Sequence, residues 1–230
     1  MPLARAMTRK ARPTFPVIGG QWNLATRRQL MSAGLTRSAI DHGLRRDWQL
    51  PFPGVVAAHR GPLDADTRLA AAALWAGPHA VLTGGVTLDR YGLPGPSTAE
   101  ALFLVPSSAR ARSAGVARSV RTSREISVAN EMGCVQMVSL ERALVDHALR
   151  QRSPVPDRKA ARDLKALTIA ALQRGLTTIE RMEAELEHAW THGTEPLQDG
   201  AASFARGAWS LPETRSPPCS ARVPSSRVSC

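Results

Sequence analysis

Five polar side chains between residues 37 and 45 have the types and spacing needed to contact DNA bases. Because Ile40 and Leu44 lie four residues apart and share one side of a predicted helix, the opposite side is left to these five. Arginine donates hydrogen bonds to guanine, and aspartate accepts one from cytosine or selects against other bases. Serine and histidine can form hydrogen bonds with several bases. The alternative, a solvated helix face, is disfavoured by the arginine-rich surroundings. The five residues are Arg37, Ser38, Asp41, His42 and Arg45.

Four further arginines complete the predicted DNA-contacting set. Arg27 and Arg28 lie on the preceding predicted helix, which crosses the phosphate backbone in helix-turn-helix proteins. Arg46 follows Arg45 directly. Arg60 either reaches the minor groove together with the wing or marks the edge of the domain.

The residues around this set predict a winged helix-turn-helix over residues 17–61. A first helix over residues 25–33 places Leu30 inside, and Gly34 permits the positive φ of a turn. Thr36 then caps the second helix through its hydroxyl. Hydrophobic residues alternate over 48–52, and prolines and a glycine end the run, which is typical of a short wing. The alternating residues are Trp48, Leu50 and Phe52, and the terminating ones are Pro51, Pro53 and Gly54.

The distribution of charge supports a nucleic-acid partner. The formal net charge of the 230 residues is +11, and residues 1–60 hold ten basic and two acidic side chains, a net charge of +8. A phosphate-contacting surface requires such a local excess. A coding bias toward arginine explains part of the excess, but not its position in the chain.

The rest of the chain predicts a small α/β domain over 62–152 and a helical connector over 153–195. The α/β domain combines helices with strands at 101–106, 116–126 and 135–138, and in the second strand Val116 and Val120 alternate with arginines. Pro154 and Pro156 mark a break. Connector helices follow over 159–173 and 178–192, the second opened by a capping box of Thr177 and Glu180. The predicted fold class is therefore α+β.

Both ends of the sequence predict disorder. Residues 1–16 are basic and lack the apolar segment of a secretory signal, so we expect a disordered arm. Residues 196–230 end in a Ser-, Pro- and Arg-rich mixture without periodicity. We expect a disordered tail there, produced by truncation or a frameshift near residue 213. Translation of the other two reading frames beyond that codon tests the hypothesis.

Three segments in series resemble a known family. They are QL…AGLTRSAIDHGLRR…PGVV, AVLTGGVTLDRYGLPG and VQMVSLERALVDHALR, within residues 20–152. Together they resemble the actinobacterial AbiEi-like antitoxins of type IV toxin–antitoxin systems, a module also found fused to a very-short-patch-repair-like endonuclease domain. The aromatic residue that usually follows Val55 in this family is absent.

The resemblance implies a DNA-binding regulator that represses its own toxin–antitoxin operon. Its expected partner is double-stranded operator DNA, with no stable toxin complex, no membrane association and at most a weak homodimer. One alternative is a truncated, catalytically inactive remnant of the endonuclease fusion. Another is a module that only binds proteins.

No group of residues predicts catalysis, a metal or a cofactor, so we expect a protein that is not an enzyme. His188 and His192 are spaced for zinc, but Ala189 replaces the metalloprotease glutamate. Ser139 is better explained as a helix cap than as a nucleophile beside Asp146 and His147. The Thr83-Gly84-Gly85 segment is too short for a phosphate loop. The three cysteines form no disulfide framework, Cys134 is expected to be a buried thiol, and a reduced cytoplasmic protein is predicted.

Overall fold

The computed structural model describes residues 13–93, 100–151, 157–189 and 192–207, which contain eight helices and two sheets. The predicted mixed α+β fold is confirmed. The N-terminal elements are β1 (Leu24–Thr26), α1 (Arg27–Ser32), α2 (Arg37–Arg46), β2 (Gln49–Phe52) and β3 (Val55–Ala57).

The first three strands form an antiparallel sheet in the order β1-β3-β2. Side-chain caps and a glycine turn, all local in sequence, set the ends of α1 and α2. Thr26 and Gln29 form a capping box at the start of α1, Gly34 adopts a φ of 91° after α1, and Thr36 caps α2. The predicted order of helix, turn and helix is therefore correct, although the first helix begins two residues later than expected because Ala25 belongs to β1.

The second sheet has six strands in the order β6-β7-β5-β4-β9-β8. β5 is antiparallel to β4 and parallel to β7, and β4 is parallel to β9. The remaining elements are α3 (Ala65–Ala76), β4 (Val81–Thr83), α4 (Gly84–Arg90), β5 (Ala101–Pro106), β6 (Ser113–Ala114), β7 (Ala117–Thr122), β8 (Asn130–Met132), β9 (Val135–Met137), α5 (Leu140–Arg150), α6 (Arg158–Gln173), α7 (Ile179–Glu187) and α8 (Glu195–Ala205).

Successive side chains along a strand of the second sheet point to opposite faces, and each face contributes to a different apolar core. Leu82 and Phe103 pack with α3 and with residues of the N-terminal sheet, whereas Val81 and Leu104 pack with α4 and α5. Helices α6, α7 and α8 complete this second core. Because Leu24 and residues of β3 share the first core with α3, the N-terminal elements are fixed to the α/β layer by buried apolar surface.

Several sequence expectations require correction. In β7 the small residues Ala117 and Ser119 are buried, whereas Val116 is 53% exposed. Pairing of β7 with β5 decides which face is inside, and the alternation of valines does not. Leu50 is likewise exposed, since β2 has a register irregularity between Gln49 and Phe52.

The C-terminal helices also differ from expectation. Helix α7 ends at Glu187 instead of residue 192, and its cap is Thr178, whose hydroxyl accepts from the Arg181 amide. The predicted tail begins too early, because α8 buries Leu197 and Ala201 against the second core. The predicted break at 154–156 and residues 208–230 lie outside the described residues.

The predicted N-terminal arm also extends too far. Phe15 packs edge-to-face against Trp48 with ring centroids 5.1 Å apart. Residues 1–12 lie outside the described part of the chain. The packed part of the protein thus begins before residue 17.

Candidate nucleic-acid interface

Helix α2 presents a polar face to solvent and buries the opposite face. Ile40 is fully buried and Leu44 is half-buried in a small core that includes Leu30 of α1. The Thr36 hydroxyl accepts from the Ala39 amide at 3.2 Å and fixes the start of the helix. The predicted site residues of α2 therefore lie together on its outer side. Arg37, Ser38, Arg45 and Arg46 are exposed, and Asp41 and His42 are partly exposed.

The orientation of α2 depends on a close contact between Gly43 and Trp48. A Cβ atom at Gly43 would lie 2.3 Å from Cε3 of the Trp48 ring, which is far inside van der Waals contact. Trp48 itself is 4% exposed and is covered by Phe15. The glycine lets a large aromatic ring pack directly on the helix backbone, which fixes the direction of the polar face.

An ion pair connects α1 to α2. Nη1 of Arg27 lies 3.0 Å from Oδ1 of Asp41, and the two side chains are 38% and 47% exposed. Such an exposed pair stabilises the fold by about 0.2–1 kcal/mol. Its larger consequence is electrostatic, because Arg27 partly neutralises the only carboxylate among the predicted base-contacting residues of α2. A phosphate backbone meets less repulsion there.

Four exposed arginines of this region have no ion pair or side-chain hydrogen bond within the described parts of the chain. Arg28 lies on α1, and Arg37, Arg45 and Arg46 lie on α2. Each retains its guanidinium donors for an external partner. Since the two arginines in the last turn of α2 also suit its helix dipole, their positions agree with local helix stability as well.

Arg60 does not lie on the turn between β2 and β3, which is the predicted wing. Its Nη2 donates to the Leu44 carbonyl at 2.7 Å, close to the C-terminal end of α2. The turn between β2 and β3 consists of Pro53 and Gly54 and contains no basic side chain. Arg60 follows β3 at the end remote from this turn, so its observed contact is with the helix end.

A second cluster of polar residues lies on α5 and is buried. Asp146 accepts from the Thr83 hydroxyl at 2.7 Å and from Nε of Arg142 at 3.1 Å. Ser139 caps α5 by accepting from the Arg142 amide, as predicted. Burial lowers the pKa of His147, whose Nε2 lies next to the amide nitrogen of Gln151. The serine, aspartate and histidine of this cluster are therefore occupied by contacts within the protein.

The two histidines and the cysteine considered as metal or thiol sites do not come together in the described residues. Helix α7 ends before His188, so His188 and His192 share no helical face. Within the described ranges no three His, Cys, Asp or Glu side chains form a group able to hold a metal ion. Cys134 is partly buried in the turn between β8 and β9, and burial raises the pKa of its thiol.

Sequence reasoning missed the surroundings of α1. Arg112 lies over the Trp75 ring, 5.4 Å from its centroid, and both line a cleft that Arg27 and Arg28 also line. These residues come from α1, α3 and the loop before β6, and no local pattern links them. Only the packing of the two sheets around α3 brings them together.

No protein-family model matches the sequence, and no curated protein is significantly similar to it. Among the helices of the described residues, none is both long and apolar enough to cross a membrane.

Proposed function

We propose that the protein is a sequence-specific DNA-binding repressor whose recognition helix is α2. The observation that carries the proposal is the polar face of α2, with four exposed or half-exposed residues that have the chemistry of base recognition, held by a buried opposite face. These residues are Arg37, Ser38, His42 and Arg45. The order of β1, α1, α2, β2 and β3, with β3 between β1 and β2, supports our proposal of a winged helix-turn-helix with a minimal wing.

The residues divide into base-reading and phosphate-binding groups. Arg37 and Arg45 lie two helical turns apart and can each donate two hydrogen bonds to a guanine in the major groove. We assign Arg28, at the start of α1, to the phosphate backbone. Asp41 orients Arg27 and offers an acceptor to cytosine.

We further propose that the repressed operon encodes a type IV toxin–antitoxin pair and that the protein is its AbiEi-like antitoxin. This assignment rests on the resemblance of the three segments within residues 20–152. Consistent with that class, the proposal includes no stable toxin complex. The competing function, a remnant of an endonuclease fusion, predicts DNA affinity without sequence preference.

Fluorescence anisotropy of the purified protein on its own upstream DNA and on a scrambled duplex tests the proposal. We expect a preference of about 10³-fold or more for the upstream DNA, together with a steep decrease of affinity with salt. Equal, weak binding to both duplexes would favour the remnant. Absence of binding at low salt would refute both DNA-binding functions.

A further inference from the structure

An open cleft of about 800 Å³ lies beside the proposed DNA-binding helices. One wall is formed by the start of α1 and the β2–β3 turn, with Arg27, Arg28 and Gly54. The other wall is formed by the end of α3, the β8–β9 turn and the loop before β6, with Trp75 and Arg112. The volume is within the range of small-molecule binding sites, about 300–1,000 Å³.

The charged groups of the cleft favour an anion. Three guanidinium groups line it, against one carboxylate, that of Glu131, which already accepts from the Gln136 amide at 3.0 Å. Arg112 is held in place, since it stacks on Trp75 and its Nη2 donates to the Ala76 carbonyl at 3.1 Å. Most of its donors remain available, as do those of Arg28.

The uncharged lining of the cleft favours a ligand that also carries an apolar body. Trp75, Leu74 and Ala80 contribute apolar surface between the arginines. Gln21 also lines the cleft, and its buried Oε1 has no hydrogen-bond partner within the described ranges. An unsatisfied buried acceptor is costly in a folded protein, and a ligand or water donor at this wall would relieve the cost.

We propose that this cleft binds a small aromatic carboxylate or sulfonate, and that the bound anion weakens DNA binding by engaging Arg27 and Arg28. The ligand site does not depend on the proposed function, whereas its effect on DNA rests on it. The anion and the DNA phosphates compete for the same guanidinium groups. Binding of either therefore decreases the affinity for the other by the same factor.

Titration with 1-anilinonaphthalene-8-sulfonate, a fluorescent aromatic sulfonate, tests the site. Arg112→Gln removes a cleft cation, and Arg110→Gln removes an exposed cation from the same loop outside the cleft lining. The Arg112 backbone amide still donates to Ser119, so the loop is expected to keep its conformation. We expect affinity to fall about tenfold or more in Arg112→Gln and to stay at the wild-type value in Arg110→Gln. Equal affinities in all three proteins would overturn the proposal.

A second titration tests the coupling, with the upstream duplex carrying a red fluorophore. We expect the sulfonate to weaken DNA binding by about fivefold or more in the wild type and to have no effect on Arg112→Gln. Arg112-dependent sulfonate binding with unchanged DNA affinity would overturn the coupling. If Arg112→Gln weakens DNA binding without altering sulfonate binding, the cleft holds the DNA backbone and the ligand proposal is wrong. If the wild type binds sulfonate but no DNA, the proposed function fails and the ligand site stands.

Discussion

Helices α2 and α5 contain the same arrangement of functional residue types. In each, an arginine is followed four positions later by an aspartate, five positions later by a histidine and eight positions later by a second arginine. The residues are Arg37, Asp41, His42 and Arg45 in α2, and Arg142, Asp146, His147 and Arg150 in α5. Sequence spacing alone does not distinguish the two helices.

The two helices use these residues in different ways. Arg142 and Asp146 pair with each other at 3.1 Å, and their side chains are only 10% and 11% exposed. Asp41 instead pairs with Arg27 of the neighbouring helix, and Arg37 remains exposed without an ion pair among the described residues. A buried charge must be compensated inside the protein, whereas an exposed uncompensated one is available to a partner. The contrast supports the proposal that α2 binds a partner, and it gives the polar residues of α5 a role inside the fold.

The largest effect is expected from breaking the buried pair. Arg142→Ala leaves the Asp146 carboxylate buried with only the Thr83 hydroxyl, and we expect the free energy of unfolding to decrease by roughly 3–5 kcal/mol. The matched change in α2, Arg37→Ala, should alter it by no more than about 0.5 kcal/mol. Urea denaturation of both variants measures the difference, and equal effects would remove the distinction between the helices.

The next effect concerns the position that follows the histidine in each helix, Gly43 in α2 and Ala148 in α5. Gly43→Ala should destabilise the protein by about 1–3 kcal/mol despite the higher helix propensity of alanine, because the new methyl group overlaps the Trp48 ring. Ala148→Gly should also destabilise it, by about 1 kcal/mol, through lost helix propensity. Thermal denaturation compares the two variants, and a stabilised Gly43→Ala protein would show that the contact with Trp48 is not tight.

A smaller effect is the pH dependence of the unfolding free energy that arises from His147. Burial lowers the pKa of His147 below its ordinary value of 6.5, so the unfolded chain binds a proton more readily than the folded one as pH falls through that value. The stabilising contribution of neutral His147 is therefore complete above about pH 6.5 and decreases as pH falls below it. We expect His147→Gln to reduce the slope of unfolding free energy against pH in this window. An unchanged slope in urea titrations would contradict the assignment.

Local chemistry made much of α2 predictable. The Thr36 cap, the Gly34 turn and the burial of Ile40 depend on residues within one or two helical turns, and the sequence displays them directly. The wrong face of β7 and the missed helix α8 depend on partners far along the chain, β5 and α6 respectively. For the same reason, the sequence did not predict the cleft beside α1. No local pattern connects α1 with Arg112, because they meet through the packing of the two sheets around α3.

The most direct test of the account is the DNA preference of Arg37→Ala/Arg45→Ala. The matched control, Arg158→Ala/Arg162→Ala, removes two exposed arginines from α6 and the same net charge. Anisotropy with upstream and scrambled duplexes should show that the α2 variant loses at least about 30-fold of its preference, since each bidentate guanine contact contributes roughly 1–3 kcal/mol. The control should keep the wild-type preference, and both variants should unfold at the wild-type temperature. A stable α2 variant that still prefers the upstream DNA as the wild type does would contradict the assignment of α2 as the recognition helix.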